Sequence, residues 1–208
     1  MSALATRSLV VVTAGLSVPS SSRLLGDRLA AAVERHLREA GMGPRLEVVE
    51  LRDHAVDLAN QMLTGFPSPS LQAAQDAVLA ADGIIAVSPI FSGSYNGLFK
   101  SFFDSIDRDG FRAKPVLIAA TGGTPRHSLA IEHAIRPLFA YLRAAVVATG
   151  VYAATEDWGQ GGASTDGSLV ERIERAATEL AAAMVARPPT APVDAFADPV
   201  PFGDLLER

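Results

Sequence analysis

The chain has 208 residues, 49% hydrophobic and 20% charged, with no cysteine and a formal net charge of −5. This composition supplies a real core and excludes wholesale disorder, and the missing thiols exclude disulfide scaffolds, thiolate metal sites and cysteine nucleophiles. The balance of 18 basic against 23 acidic side chains argues against a general nucleic-acid binder, and the longest apolar runs, such as Leu9–Val12 and Gly83–Val87, are far too short for a membrane span.

In chain order, Leu9–Ala14 is a continuous β-branched run and reads as a strand covered on both faces. A loop from Gly15 to Ser22 leads into a helix with Leu25, Leu29, Val33 and Leu37 on one face, ending near Gly41. Leu46–Leu51 alternates in part and fits an edge strand. A short helix is expected within Val56–Leu63, and Ser70 reads as the N-cap of a helix running through Ala81. Gly83–Pro89 is a third, buried strand. Leu98, Phe99, Phe102, Phe103 and Ile106 have helical spacing and belong to the core or a subunit interface. Pro115–Ala120 is a fourth strand, and a helix over about Ser128–Leu142 is expected to bend at Pro137. Ala145–Tyr152 reads as a fifth strand, and Ser168 caps a last helix reaching about Ala186.

This β–α alternation predicts an α/β fold: a five-stranded parallel sheet in the flavodoxin-like order 2-1-3-4-5, with helices on both faces. One domain, 1–186, is expected, followed by a tail, 187–208. The tail holds five of the 13 prolines together with Phe196, Val200, Phe202, Leu205 and Leu206. Docking and disorder remain equally open for it. No secretory signal is evident near the N-terminus, so a cytoplasmic protein is expected.

In such a sheet ligands bind beyond the carboxyl ends of the strands, which places the chemistry in three loops. The first, Gly15–Arg23, offers Ser17, Ser20 and Ser22 at a helix N-terminus, where amides and the helix dipole suit a phosphate. It is neither a Walker loop nor a G-x-G-x-x-G turn. The second, Pro89–Gly97, combines Phe91, Ser92, Gly93, Ser94 and Tyr95. Small residues let backbone approach a flat ring, and the aromatics can stack on it. The third, Thr121–His127, has successive small residues whose amides can form an anion nest, with His127 at its edge. The four histidines show no metal-ligand spacing, no G-x-S-x-G elbow is present, and strand three ends on Ser88-Pro89 without a phospho-acceptor aspartate. A phosphate cradle and a ring platform with no evident acid, base or nucleophile describe an enzyme whose cofactor carries the reaction.

The segments Ala14–Ser17, Ser20–Leu25, Ser92–Asp104 and Thr121–Leu129 together closely resemble the NADPH-dependent FMN reductase family. The likeness covers about Leu9 to Ala186 and is nearest the branch that supplies luciferase-like flavin monooxygenases. At Phe91-Ser92 the chain departs from the Tyr-Asn of the wider family. The resemblance implies that Ser17, Ser20, Ser22 and Arg23 hold the FMN phosphate. It implies that Pro89, Phe91, Ser92, Gly93, Ser94 and Tyr95 hold the isoalloxazine ring, and that Thr121, Gly122, Gly123 and His127 lie toward its pyrimidine side. It further implies NADPH or NADH as hydride donor, a homodimer or homotetramer, and a flavin-dependent monooxygenase as partner. A quinone, azo or metal-oxyanion reductase, a flavodoxin-type electron carrier and a module that has lost its cofactor stay open as alternatives.

Overall fold

The computed structural model describes residues 5–159 and 167–188. Strands β1 (Thr6–Thr13), β2 (Gly43–Glu50), β3 (Gly83–Phe91), β5 (Pro115–Gly122) and the pair β6 (Ala145–Val146) and β7 (Val151–Ala154) form one parallel sheet. Its order is β2-β1-β3-β5, with β6 and β7 side by side along the far edge of β5. The two-residue β4 (Ser94–Tyr95) returns antiparallel on β3. With β6 and β7, which follow one another along β5, taken together as the fifth strand, this is the expected flavodoxin-like order 2-1-3-4-5.

The continuous apolar runs follow from this layering. Alternate residues of each strand feed two cores. Leu9, Val11, Ile85, Val87, Leu117 and Ala119 face α1 (Ser21–Glu39) and α6 (Leu169–Ala186). Val10, Val12, Ile84, Ala86, Val116 and Ile118 face the helices of the other layer: α2 (Ala55–Thr64), α3 (Pro69–Ala80), α4 (Gly97–Asp104) and α5 (Arg136–Tyr141). Phe99, Phe102 and Phe103 of α4 are buried in that second core, where Phe103 and Phe139 pack edge to face at 4.9 Å. They are core residues, one of the two roles expected of them.

Three boundaries differ from the sequence reading. Ser68, not Ser70, caps α3: its Oγ accepts from Leu71 N at 3.2 Å, and Pro69 occupies the first turn, where no amide is needed. Both hydroxyls instead donate to Asp57, which holds that carboxyl below its ordinary range. The single bent helix over Ser128–Leu142 resolves into a π-turn at Ile131–Ile135 followed by the short α5, with Pro137 in its first turn. The fifth strand is split. Between its halves the Arg136 guanidinium binds the carbonyls of Val147 and Ala148, each at 3.0 Å, and Glu179 accepts from Thr149 N at 2.8 Å. Side chains replace the missing ladder bonds. At α6 the expected cap is present, reinforced by Glu171 Oε2 accepting from Ser168 N at 2.7 Å. The predicted tail lies outside the described residues beyond Pro188.

At the amino ends of the strands Lys114 is 1% exposed, and its ammonium donates to the carbonyls of Val78 (2.8 Å) and Leu79 (2.5 Å) at the end of α3. Burial pushes its pKa down to about 8, with Arg187 adding repulsion and Asp82 opposing both. The folded protein therefore releases this proton before the unfolded chain does. Between pH 8 and the ordinary lysine value of 10.5 the unfolded state binds more protons, so stability rises with pH across that window, and the cost is complete below it. Denaturant midpoints measured from pH 7.5 to 10 should rise for wild type relative to Lys114→Met, by up to roughly 3 kcal/mol. Parallel curves would show that Lys114 is not the titrating group.

Candidate functional site

The carboxyl ends of the neighbouring strands β1, β3 and β5 bring the three candidate loops together. Loop one begins at Ala14 and ends at Ser20, the N-cap of α1, whose Oγ accepts from Arg23 N at 3.2 Å. Gly15 is required there, because a Cβ would lie 1.9 Å from Ser20 Oγ. Ser17 is exposed and donates to Pro19 O at 2.9 Å. Loop two turns at Ser92-Gly93, with φ of 51° and 82°; two left-handed residues in succession are what a two-residue type I′ hairpin needs. Loop three continues β5 through Thr121, Gly122 and Gly123 into a short 3-10 turn, Pro125–His127.

Buried side chains lock these loops to one another. Asn96 is 4% exposed and serves all its groups: Nδ2 donates to Ala14 O at 2.7 Å, Oδ1 accepts from Phe99 N at 2.9 Å, and its backbone N–H donates to Ser88 Oγ at 3.2 Å. It caps α4 and ties loop one to loop two. Ser22 Oγ and Thr121 Oγ1 share a buried hydrogen bond of 2.8 Å, tying α1 to loop three. Tyr152 Oη donates to Thr124 O at 2.7 Å, and burial, with Asp157 adding to it, raises the phenol's pKa. Gly122 must be a glycine beside it, since a Cβ would come within 2.1 Å of Tyr152 Oη.

Several expected contacts take other partners. The Ser22 hydroxyl is buried against Thr121 and is a loop tie rather than an open phosphate donor. Arg23 is bound to Asp27 (2.8 Å) and Glu50 (2.6 Å), and the hydrogen bond to Asp27 leads in raising its pKa. Its guanidinium is thus already committed to two carboxylates. The two aromatics of loop two do not form one platform. Phe91 is 49% exposed, whereas the Tyr95 ring packs on Phe99 at 5.7 Å and lines a groove beside α4. Pro89 is half-buried opposite Thr121, Ser94 is half-buried, and Ser92, Gly93, Gly123 and His127 are exposed. A Cβ placed on Gly93 or Gly123 would meet nothing within 4 Å, so loops two and three present bare backbone to open space. Trp158 packs on the α1/α6 core and carries Arg28 at 5.0 Å over its ring.

Three site residues escaped the sequence reading. Asn96 had a usable signal, an Asn immediately before helical spacing. Arg52 donates to Ser17 O at 3.0 Å and pairs with Glu50, also at 3.0 Å, pinning loop one from the end of β2. The predicted strand order places β2 beside β1, which was the available clue. Tyr152 carried no signal beyond its place at a strand end. Among the described residues no cluster of three or more His, Asp or Glu is placed to hold a metal, and no helix is long and apolar enough to cross a membrane.

The family model described as NADPH-dependent FMN reductase matches residues 8–159, which include all three loops. The chain belongs to the NADPH-dependent FMN reductase family. It is accordingly an oxidoreductase that works with FMN and a nicotinamide nucleotide. It is 38% identical over 149 residues to a Pseudomonas aeruginosa protein named FMN reductase (NADPH), covering 72% of this chain and 77% of that one. It is 34% identical over 166 residues to the NADH-dependent FMN reductase SfnF of Pseudomonas putida, covering 80% and 87%. Among solved structures, an oxidoreductase from Corynebacterium diphtheriae superposes with a TM-score of 0.83 at 42% identity, covering 88% of this chain and 99% of that one.

The loop ties are testable in isolation from any ligand. Asn96→Ala removes a helix cap and strands Ala14 O, and should cost about 2–4 kcal/mol in urea denaturation. Ser22→Ala and Thr121→Val should each cost about 1–2 kcal/mol, and the double variant clearly less than their sum, because removing both partners leaves no orphaned hydroxyl. Strict additivity would show that the two hydroxyls do not interact.

Proposed function

We propose that the protein is an NAD(P)H:FMN oxidoreductase whose flavin lies across the three loops. The observation that carries this reading is the convergence of a serine-capped helix N-terminus, a Ser92-Gly93 hairpin and the Thr121–Gly123 backbone on the ends of adjacent parallel strands. The residues fit the group. Exposed hydroxyls and free amides suit a phosphate, and the bare backbone at Gly93 and Gly123 leaves room that any larger residue would fill.

In this arrangement Ser17, Ser20 and the first amides of α1 hold the phosphate. Phe91, Ser92, Gly93 and Ser94 take the ring edge, with Pro89 behind them. Gly122 and Gly123 direct amides toward the pyrimidine side, while Thr121, fixed by Ser22, sets their position, and His127 borders the opening. Tyr95 contributes by holding the hairpin on α4. Bound FMN supplies hydride chemistry with the nicotinamide nucleotide. The protein's part is orientation and neutral hydrogen-bond donors placed where negative charge develops.

The same reading extends to assembly, partner and place. Val56, Met62, Leu63 and Phe66 on and beyond α2 are 74%, 69%, 87% and 79% exposed, and this apolar strip is a contact of a homodimer or homotetramer. Reduced FMN is released to a flavin-dependent monooxygenase, as the loop resemblance implies. The cytoplasm supplies the nicotinamide nucleotides the reaction needs.

Anaerobic mixing with FMN and either NADPH or NADH should bleach the flavin; no bleaching with either overturns the reductase reading. Faster steady-state turnover of a quinone or azo dye than of free FMN would move the biological acceptor away from flavin. Gly123→Val tests the site itself. A Cβ there meets nothing within 4 Å among the described residues, so thermal stability should hold while FMN affinity falls at least tenfold. Unchanged affinity would place the flavin elsewhere.

A further inference from the structure

Outside the flavin crevice, a groove of about 590 Å³ lies between α4 and α5. Its floor is apolar and well buried: Phe103, Leu138 and Leu142 are 1%, 8% and 4% exposed. Its upper wall is Tyr95 and Tyr141, the latter 69% exposed. Its charged lip carries Lys100, paired with Asp104 at 2.6 Å, and Arg108, which among the described residues has no ion pair. An apolar floor under a net positive lip calls for an occupant that is apolar and acidic.

We propose that the groove is covered by the chain's own C-terminal segment, Phe196–Leu206. The composition matches. Phe196, Val200, Phe202, Leu205 and Leu206 alternate with Asp198 and Asp204, and no basic residue occurs between Arg187 and Arg208. The place of exit matches as well. Arg7 Nη2 donates to Arg187 O at 2.9 Å, and Arg187 Nη2 donates to Arg112 O at 3.4 Å. Arg112 stands four residues beyond Arg108 of the groove, so the chain leaves its described part at the amino edge of the sheet, close in sequence to the groove's Arg108 end. The length is sufficient: Phe196 lies eight residues past Pro188, an extended reach of about 27 Å. The other sizeable groove, about 420 Å³ against β1 and α3, is lined by Arg45, Glu47 and Asp76. Its excess of acid repels the same segment. Seated between α4 and α5, the tail reaches Tyr95 and hence the back of the flavin hairpin.

The absence of native cysteine makes the test clean, since any introduced pair supplies the only thiols. Full-length protein carrying Tyr141→Cys and Phe202→Cys is oxidised with glutathione disulfide and weighed intact without reductant. The control carries Asp76→Cys and Phe202→Cys. An intramolecular bridge formed at least tenfold faster in the first pair is the expected result. Equal rates, no bridge, or a bridge between two chains overturns the proposal, the last by seating the tail on a second copy. Hydrogen exchange in the full chain gives an independent reading. Phe196→Ser with Phe202→Ser should speed exchange at least fivefold in residues 136–142 and leave β1 unchanged; unaltered exchange at 136–142 also overturns it. Neither measurement depends on flavin or on activity.

Discussion

A cofactor site built from loop backbone needs those loops held in register, although they lie about 30 to 110 residues apart in the chain. Asn96 meets much of this need with one side chain. Its amide spans from the end of β1 to the start of α4, and its backbone reaches Ser88 on β3. A buried amide left half-satisfied costs more than the net gain of the bonds it makes, so the arrangement is close to all-or-none. Ser22 with Thr121 and Tyr152 with Thr124 extend the same principle to loop three. Every one of these ties is neutral. They fix position without adding a field that would compete with a bound anion.

The two arginines that flank loop one are spent elsewhere. Arg23 is held between Asp27 and Glu50, and Arg52 between Glu50 and Asp53. Both steady loop one from outside, Arg52 through the Ser17 carbonyl. The grip on a phosphate then falls to hydroxyls and amides, each worth about 0.5–1.5 kcal/mol against about 1.5–3 for a charged donor. On the proposed function this is a sensible allocation. A reductase that hands its flavin on gains nothing from charged contacts that slow its departure.

The sheet order and the three loops were legible because they rest on periodicities the sequence displays directly: continuous apolar strands, amphipathic helices, and small polar residues between them. Partner choice was not. Ser22 reads as one of a row of loop serines, and only the fold reveals that it meets a threonine 99 residues away. Tyr95 reads as a ring platform because it sits beside Phe91, yet the reversal at Ser92-Gly93 places them on a two-residue hairpin where Tyr95 leans on Phe99. The split of the last strand depends on Arg136, on the helix just before it, and on Glu179, 30 residues beyond Thr149, so no signal within the strand marks it. Local propensity locates the elements, and long-range hydrogen bonding decides which side chains remain free for chemistry.

The two edges of the sheet divide the labour. At the carboxyl edge polar side chains satisfy one another and glycine backbone is left open. At the amino edge charges are driven inside: Lys114 against the end of α3, and Arg7, 5% exposed, against the Arg187 carbonyl, its Nε and Nη1 without a hydrogen-bond partner among the described residues. Such burial is costly, and nothing at that edge touches the flavin crevice. Its return is structural, since it fixes where α3 ends and where α6 delivers the chain. Substitutions at the amino edge therefore register in stability. On the proposed function, those at Gly93, Gly123 and the exposed hydroxyls register in binding. The separation lets the crevice keep its bare backbone while the opposite edge bears the cost of buried charge.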